Sequence, residues 1–444
     1  MRPVERGQRV HSGRQSGCPD GSQHLDRCVH LRIPCRGNDH RRSGLDSGRP
    51  LRNLPDRPDD RRGPWAAPDS YRLRHDVRPR GGVRRWGTGT QRVKREFARI
   101  VSCVAASPPG DVIGCSRKRA PIHAHTIGSG PQRVSLVAGC HADEPVGPRF
   151  LQRLIRYLAS EDGATLRRAA TWSIIPHINP DGASANAAWQ TPGAPHYGFG
   201  AYLRHRVREL PGDDIEFGFP RRESDRGARP ENRAAWEFWR AGAPYDLHVS
   251  MHGMGVAAGP YFLVERSWWP RFGDAAASLA HEVETAGYTL HDVERHGEKG
   301  FHRLARGFCS RPDSRSMKRH FVALDDPATA ARFRPSSMEA VRKLSGGDTL
   351  TLVTEMPLFI TPGVGEELGP PDPVLTRWRE RIAGWDARFR RASGEDDEAR
   401  VEAAVRDEAQ AAGLTAMPVR DQMRFQWAFI RAGLEVVGAG AAVA

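Results

Sequence analysis

Val134-Ser135-Leu136-Val137-Ala138-Gly139 is a compact apolar run closed by a glycine, and a run apolar on both sides of the chain fits a strand covered on both faces. Such a strand needs helices around it. They follow at once, because Val146 to Leu158 carries apolar residues at helical spacing behind Pro145, a residue suited to a first helical turn. Further strands are expected at 112–116, 124–128, Thr171 to Pro176, Tyr245 to His252, Tyr261 to Val264 and Leu350 to Thr354. Helices are expected over Arg229 to Arg240 and Ala275 to Ala286. This alternation predicts an α/β fold, a mixed and largely parallel β-sheet flanked by helices. Beyond Asp372 the patterns of Pro373 to Arg391 and Glu398 to Ala412 are helical. The sequence thus divides into a body over 100–391 and a helical C-terminal extension over 392–444.

The net charge of +14 suggests nucleic acid until its distribution is examined. Met1 to Arg95 holds 23 Lys and Arg against 10 Asp and Glu, a surplus of 13. The other residues hold 44 against 43. The basic stretch, with segments such as RRSGLDSGRP and RPRGGVRRWG, has neither helical nor strand periodicity and almost no aromatic residues on which bases could stack. It reads as a disordered leader, 1–95, with no nucleic acid expected as a partner. Mean hydropathy is −0.59 and no apolar run approaches the roughly 20 residues of a membrane span. No apolar signal segment follows Met1, and the seven cysteines show no CxxC pairing, so a reducing, cytoplasmic compartment is expected.

Chemistry collects where strands end. His141-Ala142-Asp143-Glu144 places an imidazole and a carboxylate three residues apart after the first buried strand, where one turn can aim both at one point. A hydrolytic zinc site takes three such protein ligands at about 2.0–2.2 Å. His252, followed by Gly253, closes another strand and is the natural third ligand; His248, four residues earlier on the same face, is its rival. His281-Glu282 begins an HExxH pattern but lacks the second histidine, and no phosphate loop or serine elbow is present.

In chain order stand a strand ending in HxxE, the turn Asn179-Pro180-Asp181-Gly182, a strand ending in Ser250-Met251-His252-Gly253, and a strand ending in Thr354-Glu355. This order resembles the zinc carboxypeptidases of the carboxypeptidase A type, over roughly Val112 to Arg391, as a divergent member. The resemblance implies one Zn²⁺ held by His141, Glu144 and His252, with Glu355 as the base that activates water. It also implies Asp214 as the carboxylate behind His141, and an arginine for the oxyanion from Arg204, Arg206 or Arg208. Arg204 is preferred because Tyr202-Leu203-Arg204-His205 best matches the family's aromatic-then-basic pattern. The implied function is hydrolysis of a peptide or amide bond. The alternatives are a deacylase of N-acyl amino acids, whose relatives generally lack the Asn-Pro-Asp-Gly turn, and a non-catalytic zinc protein with a basic nucleic-acid-binding arm.

One departure from the family bears on specificity. The Asn-Arg pair that grips a substrate's terminal carboxylate is replaced by Glu216 and Phe217, and no late tyrosine is evident. The substrate pocket is therefore expected to gain a negative charge from Glu216 and to lose its clamp, unless Arg221 or Arg222 supplies one.

Overall fold

The structure, a computed structural model, describes residues 87–365 and 372–438. Residues 1–86 of the expected leader lie outside the described residues. The strands are β1 (Asp111–Cys115), β2 (Pro121–Ile127), β3 (Gln132–Ala138), β4 (Ala170–Ile175), β5 (Leu247–Ala257), β6 (Tyr261–Val264), β7 (Arg303–Ala305), β8 (Phe308–Ser310), β9 (Leu350–Ile360) and β10 (Thr415–Ala416). The first seven α-helices are α1 (Gly87–Ser102), α2 (Val146–Ala159), α3 (Ala164–Ala169), α4 (Pro180–Ala185), α5 (Phe199–His205), α6 (Pro230–Gly242) and α7 (Trp269–Thr285). The others are α8 (Ser314–Ala323), α9 (Pro327–Arg332), α10 (Ser337–Leu344), α11 (Pro373–Arg391), α12 (Glu395–Ala411) and α13 (Val419–Val436).

All ten strands form one sheet in the order β1-β2-β4-β3-β5-β9-β6-β8-β7, with β10 on β9. Its centre is parallel, β4 to β3 to β5 to β9, and its margins are largely antiparallel. The mixed α/β sheet flanked by helices is thus the observed architecture. The helices cover it by amphipathic burial: Phe150, Leu151, Leu154, Ile155 and Leu158 of α2 lie on the sheet side at helical spacing. No described helix is long and apolar enough to cross a membrane.

Three expectations change. First, α1 begins at Gly87, inside the stretch expected as leader, and buries Val93, Phe97 and Ile100. Each such burial is worth about 1.5–3 kcal/mol, which an irregular leader would not gain. Glu96 of the same helix also meets the buried Arg431 of α13 at 3.4 Å. Second, the strands expected to end at His252 and Thr354 continue to Ala257 and Ile360, because β5 and β9 go on pairing in parallel; both residues stand mid-strand. Third, Asn179-Pro180-Asp181-Gly182 is the start of α4 rather than a closing turn, with the Asn179 side chain accepting from the Gly182 N–H at 2.9 Å.

The helices expected beyond Arg391 are present as α12 and α13. Nearly every side of α13 is buried, including Phe425, Trp427, Phe429 and Leu434, as befits a helix inside the principal core. Phe429 packs against Phe262 of β6 at 4.7 Å between ring centroids.

Candidate metal centre

Strand β3 ends at Ala138, and Gly139 takes a left-handed φ of 73° with the His177 ring 2.7 Å from where a Cβ would be. A side chain there would clash, so glycine is required for the chain to turn into residues 140–145. That turn aims His141 and Glu144 back over the sheet, where β5 presents His252. His141 Nδ1 lies 2.8 Å from Glu144 Oε1, His252 Nδ1 lies 2.9 Å from Glu144 Oε2, and the two ring nitrogens are 3.1 Å apart.

These three donors fit a zinc ion by their chemistry and their convergence. All the candidate ligand atoms lie within 4.8 Å of one another. Ligands sharing a tetrahedral ion at about 2.1 Å stand about 3.4 Å apart, close to the separations seen. Two imidazole nitrogens and both oxygens of one carboxylate facing inward is a donor set suited to zinc. Glu144 is buried, which alone would raise its pKa, but His141 and His252 outweigh this and hold it well below the carboxylate range. Burial likewise acts to lower both histidines, and Glu144 overrides it and raises them.

Glu355 is the register partner of His252 across β5 and β9, so the two side chains share one face of the sheet. Burial foremost pushes its carboxyl up to about 8, with the Glu144 charge adding to it and the His252 charge opposing it. A carboxyl poised near neutrality beside a metal-ligand cluster is suited to taking and returning a proton. His248, the rival ligand, is a core residue instead. It meets Ser135 Oγ at 3.0 Å, packs edge-on to Trp239, and burial lowers its pKa to about 3.

The cation at the cluster is Arg208. Its Nη1 donates to Asp143 at 2.9 Å and lies 3.2 Å from Glu144, and its Nη2 is 3.3 Å from His141 Nδ1. Arg204 does not reach the centre; it is still in α5 and pairs with Glu398 and Glu402 of α12 at 2.9 and 3.2 Å. Helix α5 ends at His205, and the extended chain after it brings Arg208 back toward His141. Glu209 then secures this return, accepting from the Ala142 N–H at 3.1 Å and from the Asn179 side chain at 2.5 Å. The residues before it carry Arg206 to Asp386 at 2.6 Å.

The loop expected to supply the second carboxylate and the substrate pocket is arranged differently. Asp214 accepts from the Phe217 N–H at 2.8 Å and so caps its own turn rather than holding His141. Glu216 does the holding, but of His252: it takes Nε2 at 3.2 Å and Ser250 Oγ at 3.3 Å, and its other oxygen accepts both the N–H and the hydroxyl of Ser337 at 2.9 Å. Only 3% exposed, Glu216 cannot give a pocket the negative charge expected of it. Phe217 is buried edge-on against Phe333 at 5.4 Å. Arg221 and Arg222 are exposed, and the Arg221 guanidinium donates to the Phe333 carbonyl at 3.2 Å. Asp143, lying inside the HxxE motif, and Glu209, next to Arg208, were open to recognition by position alone; Ser250 and Ser337 had no such signal.

The sequence profile of the zinc carboxypeptidase family matches residues 111–306, a span that contains His141, Glu144 and His252 and stops before Glu355. No curated protein is matched. Among solved structures, a metallo-carboxypeptidase from Pseudomonas aeruginosa is similar at 16% identity, with 75% of this chain and 69% of that one covered and a TM-score of 0.35. Another metallo-carboxypeptidase, from Burkholderia cenocepacia, is similar at 16% identity over 60% of each chain, with a TM-score of 0.33. Bovine thrombin-activatable fibrinolysis inhibitor is similar at 12% identity over 72% of this chain and 97% of its own, with a TM-score of 0.35. Residues 111–306 therefore match the zinc carboxypeptidase family, the family that the order of motifs along the chain resembles.

Proposed function

We propose that the protein is a zinc-dependent hydrolase of peptide or amide bonds, in which His141, Glu144 and His252 hold one Zn²⁺. The observation that carries this reading is the convergence of those three donors beside a carboxyl, Glu355, poised between its two protonation states. Zinc bound there supplies Lewis-acid chemistry and makes water nucleophilic near neutral pH. Glu355 accepts the water's proton and passes it to the departing nitrogen, a transfer its raised pKa favours in both directions. Arg208 provides the positive charge that meets the developing oxyanion, in the place expected of Arg204. Glu216 fixes the His252 ring so that Nδ1 faces the metal.

The test combines metal analysis of the full chain with hydrolysis of a panel of acyl-dipeptides and N-acyl amino acids. His141→Ala and His252→Ala lose stoichiometric zinc. Glu355→Gln keeps zinc and loses about 10²–10⁴-fold in turnover. Wild-type protein without stoichiometric zinc, or a Glu355→Gln variant of full activity, overturns the proposal. Cleavage of N-acyl amino acids alone moves the protein to the deacylase reading.

A further inference from the structure

A second charged cluster lies on the far side of Glu355 from the zinc ligands. Tyr261 of β6 is the register partner of Glu355 across β9, so it shares the catalytic face of the sheet. Phe301 packs against the group formed by Tyr261, Cys309 and Val353. The Arg295 guanidinium lies over the Phe301 ring, 4.1 Å from its centroid. Tyr261 is within charge range of both Glu355 and Arg295, which links the two sets of groups.

Among the described residues, the cations of this cluster that form ion pairs share a single carboxylate. Arg295 and Lys299 share one carboxylate, Glu298 Oε1, at 3.4 and 3.5 Å, and His320 approaches the same oxygen at 3.9 Å. Arg379 stands beside them and forms no ion pair among the described residues. The nearby acids have other partners, Glu294 accepting from the His296 N–H at 2.7 Å. Asp292 binds Arg303 through two bonds of 2.9 Å, and Asp372 accepts from the N–H groups of Leu375 and Gly365 at 2.7 and 3.0 Å. The Arg295 and Lys299 side chains remain 25% and 29% exposed, so a ligand can reach them. Burial foremost, with Arg295 adding to it and Glu298 opposing, depresses the Lys299 ammonium below its usual range. The segment is also held in an uncommon conformation, with left-handed φ at His296 and Lys299.

We propose that Arg295, Lys299 and Arg379 form the anion-recognising end of the substrate cleft, taking a carboxylate of a substrate whose scissile amide lies at Glu355. The role rests on the hydrolase reading and deepens it, because the Glu216-Phe217 loop offers no clamp of its own. An under-neutralised arginine is suited to a carboxylate, which it can grip through two parallel hydrogen bonds. The carboxylate comes either from the end of a peptide or from an acidic side chain.

Calorimetric binding to the metal-free full chain separates this proposal from the activity. The probes are N-acetyl dipeptides ending in leucine or glutamate, each with a free or amidated terminus. Binding at least about tenfold tighter for a carboxylate than for its amide is expected, about the value of one charge-assisted hydrogen bond. Preference for the free terminus identifies the terminal carboxylate; preference for glutamate over leucine among the amides identifies the side chain. Arg295→Gln with Lys299→Met, and Arg379→Gln separately, abolish the preference at unchanged melting temperature. Equal wild-type binding of acids and amides, or a full preference in the folded variants, overturns the proposal. Preserved binding without hydrolysis would instead remove the hydrolase reading and leave this one standing.

Discussion

Glu216 accepts from His252 Nε2 at 3.2 Å while Nδ1 of the same ring stands 2.9 Å from Glu144. A carboxylate can only accept, so both ring nitrogens face acceptors; with a metal bound, Nε2 would keep its proton for Glu216 and Nδ1 would give its lone pair to the ion. Burial opposes the ionised form of Glu216, and its bonds to His252 and Ser337 overcome this, lowering its pKa.

Glu216→Gln should therefore weaken zinc binding by about 10–100-fold, since the amide no longer fixes the ring as strongly but still accepts from Ser337. Zinc titration against a competing chelator measures it. Unchanged affinity would mean that Ser250, 2.9 Å from Nε2, holds the ring by itself.

Arg208 and Arg204 should separate cleanly. Arg208→Ala removes the cation beside His141 and Glu144 and should lower turnover by about 10²–10³-fold. Arg204→Ala breaks only the two pairs to α12 and should leave turnover intact, at a cost of about 0.2–1 kcal/mol per partly exposed pair. Steady-state kinetics beside thermal melting resolves the two; the reverse pattern would restore Arg204 to the site.

How far the chain could be read in advance follows from which forces are local. The strand at Val134 and the helix at Val146 were legible because burial on both faces, or on one stripe, is written in residue spacing. The extent of β5 and β9 was not. Gly253 and Pro357 look like strand breakers, yet the parallel ladder carries both within the sheet. That His141, Glu144 and His252 come together with Glu355 on the same face was foreshadowed by the order of their motifs along the chain. The partners were not, because Arg208, Asp214 and Glu216 are placed by where α5 ends and by which N–H groups a loop leaves to be capped.

The pH dependence of the metal-free protein has a definite sign. His141, His252 and Glu355 are raised above their ordinary values, so the stability they contribute is complete below those values and is lost as pH rises through the folded ones. Glu144 and Glu216 are lowered, so their contribution is present above the ordinary carboxylate value and is lost on acidification. Metal-free protein should melt lower at about pH 8.5 than at about pH 6, and zinc should stabilise it more at the higher pH, where the ligands have shed their protons. Melting curves with and without zinc across this range check both signs. A metal-free protein that gains stability toward pH 8.5 would contradict the raised values.

Helix α13 fills the centre of the principal core, and β10 just before it closes on β9. During synthesis every proposed zinc donor therefore leaves the ribosome before the helix that backs the sheet. Strands β3, β5 and β9 pair across more than a hundred residues of chain, and such distant pairings hold only once the surface behind them is covered. A ribosome-bound chain halted at Met417 should remain open to protease and take up no stoichiometric zinc, and tight zinc binding by that stalled chain would count against this order of events. Metal capture then waits on the synthesis of α13, which acts as the gate on maturation.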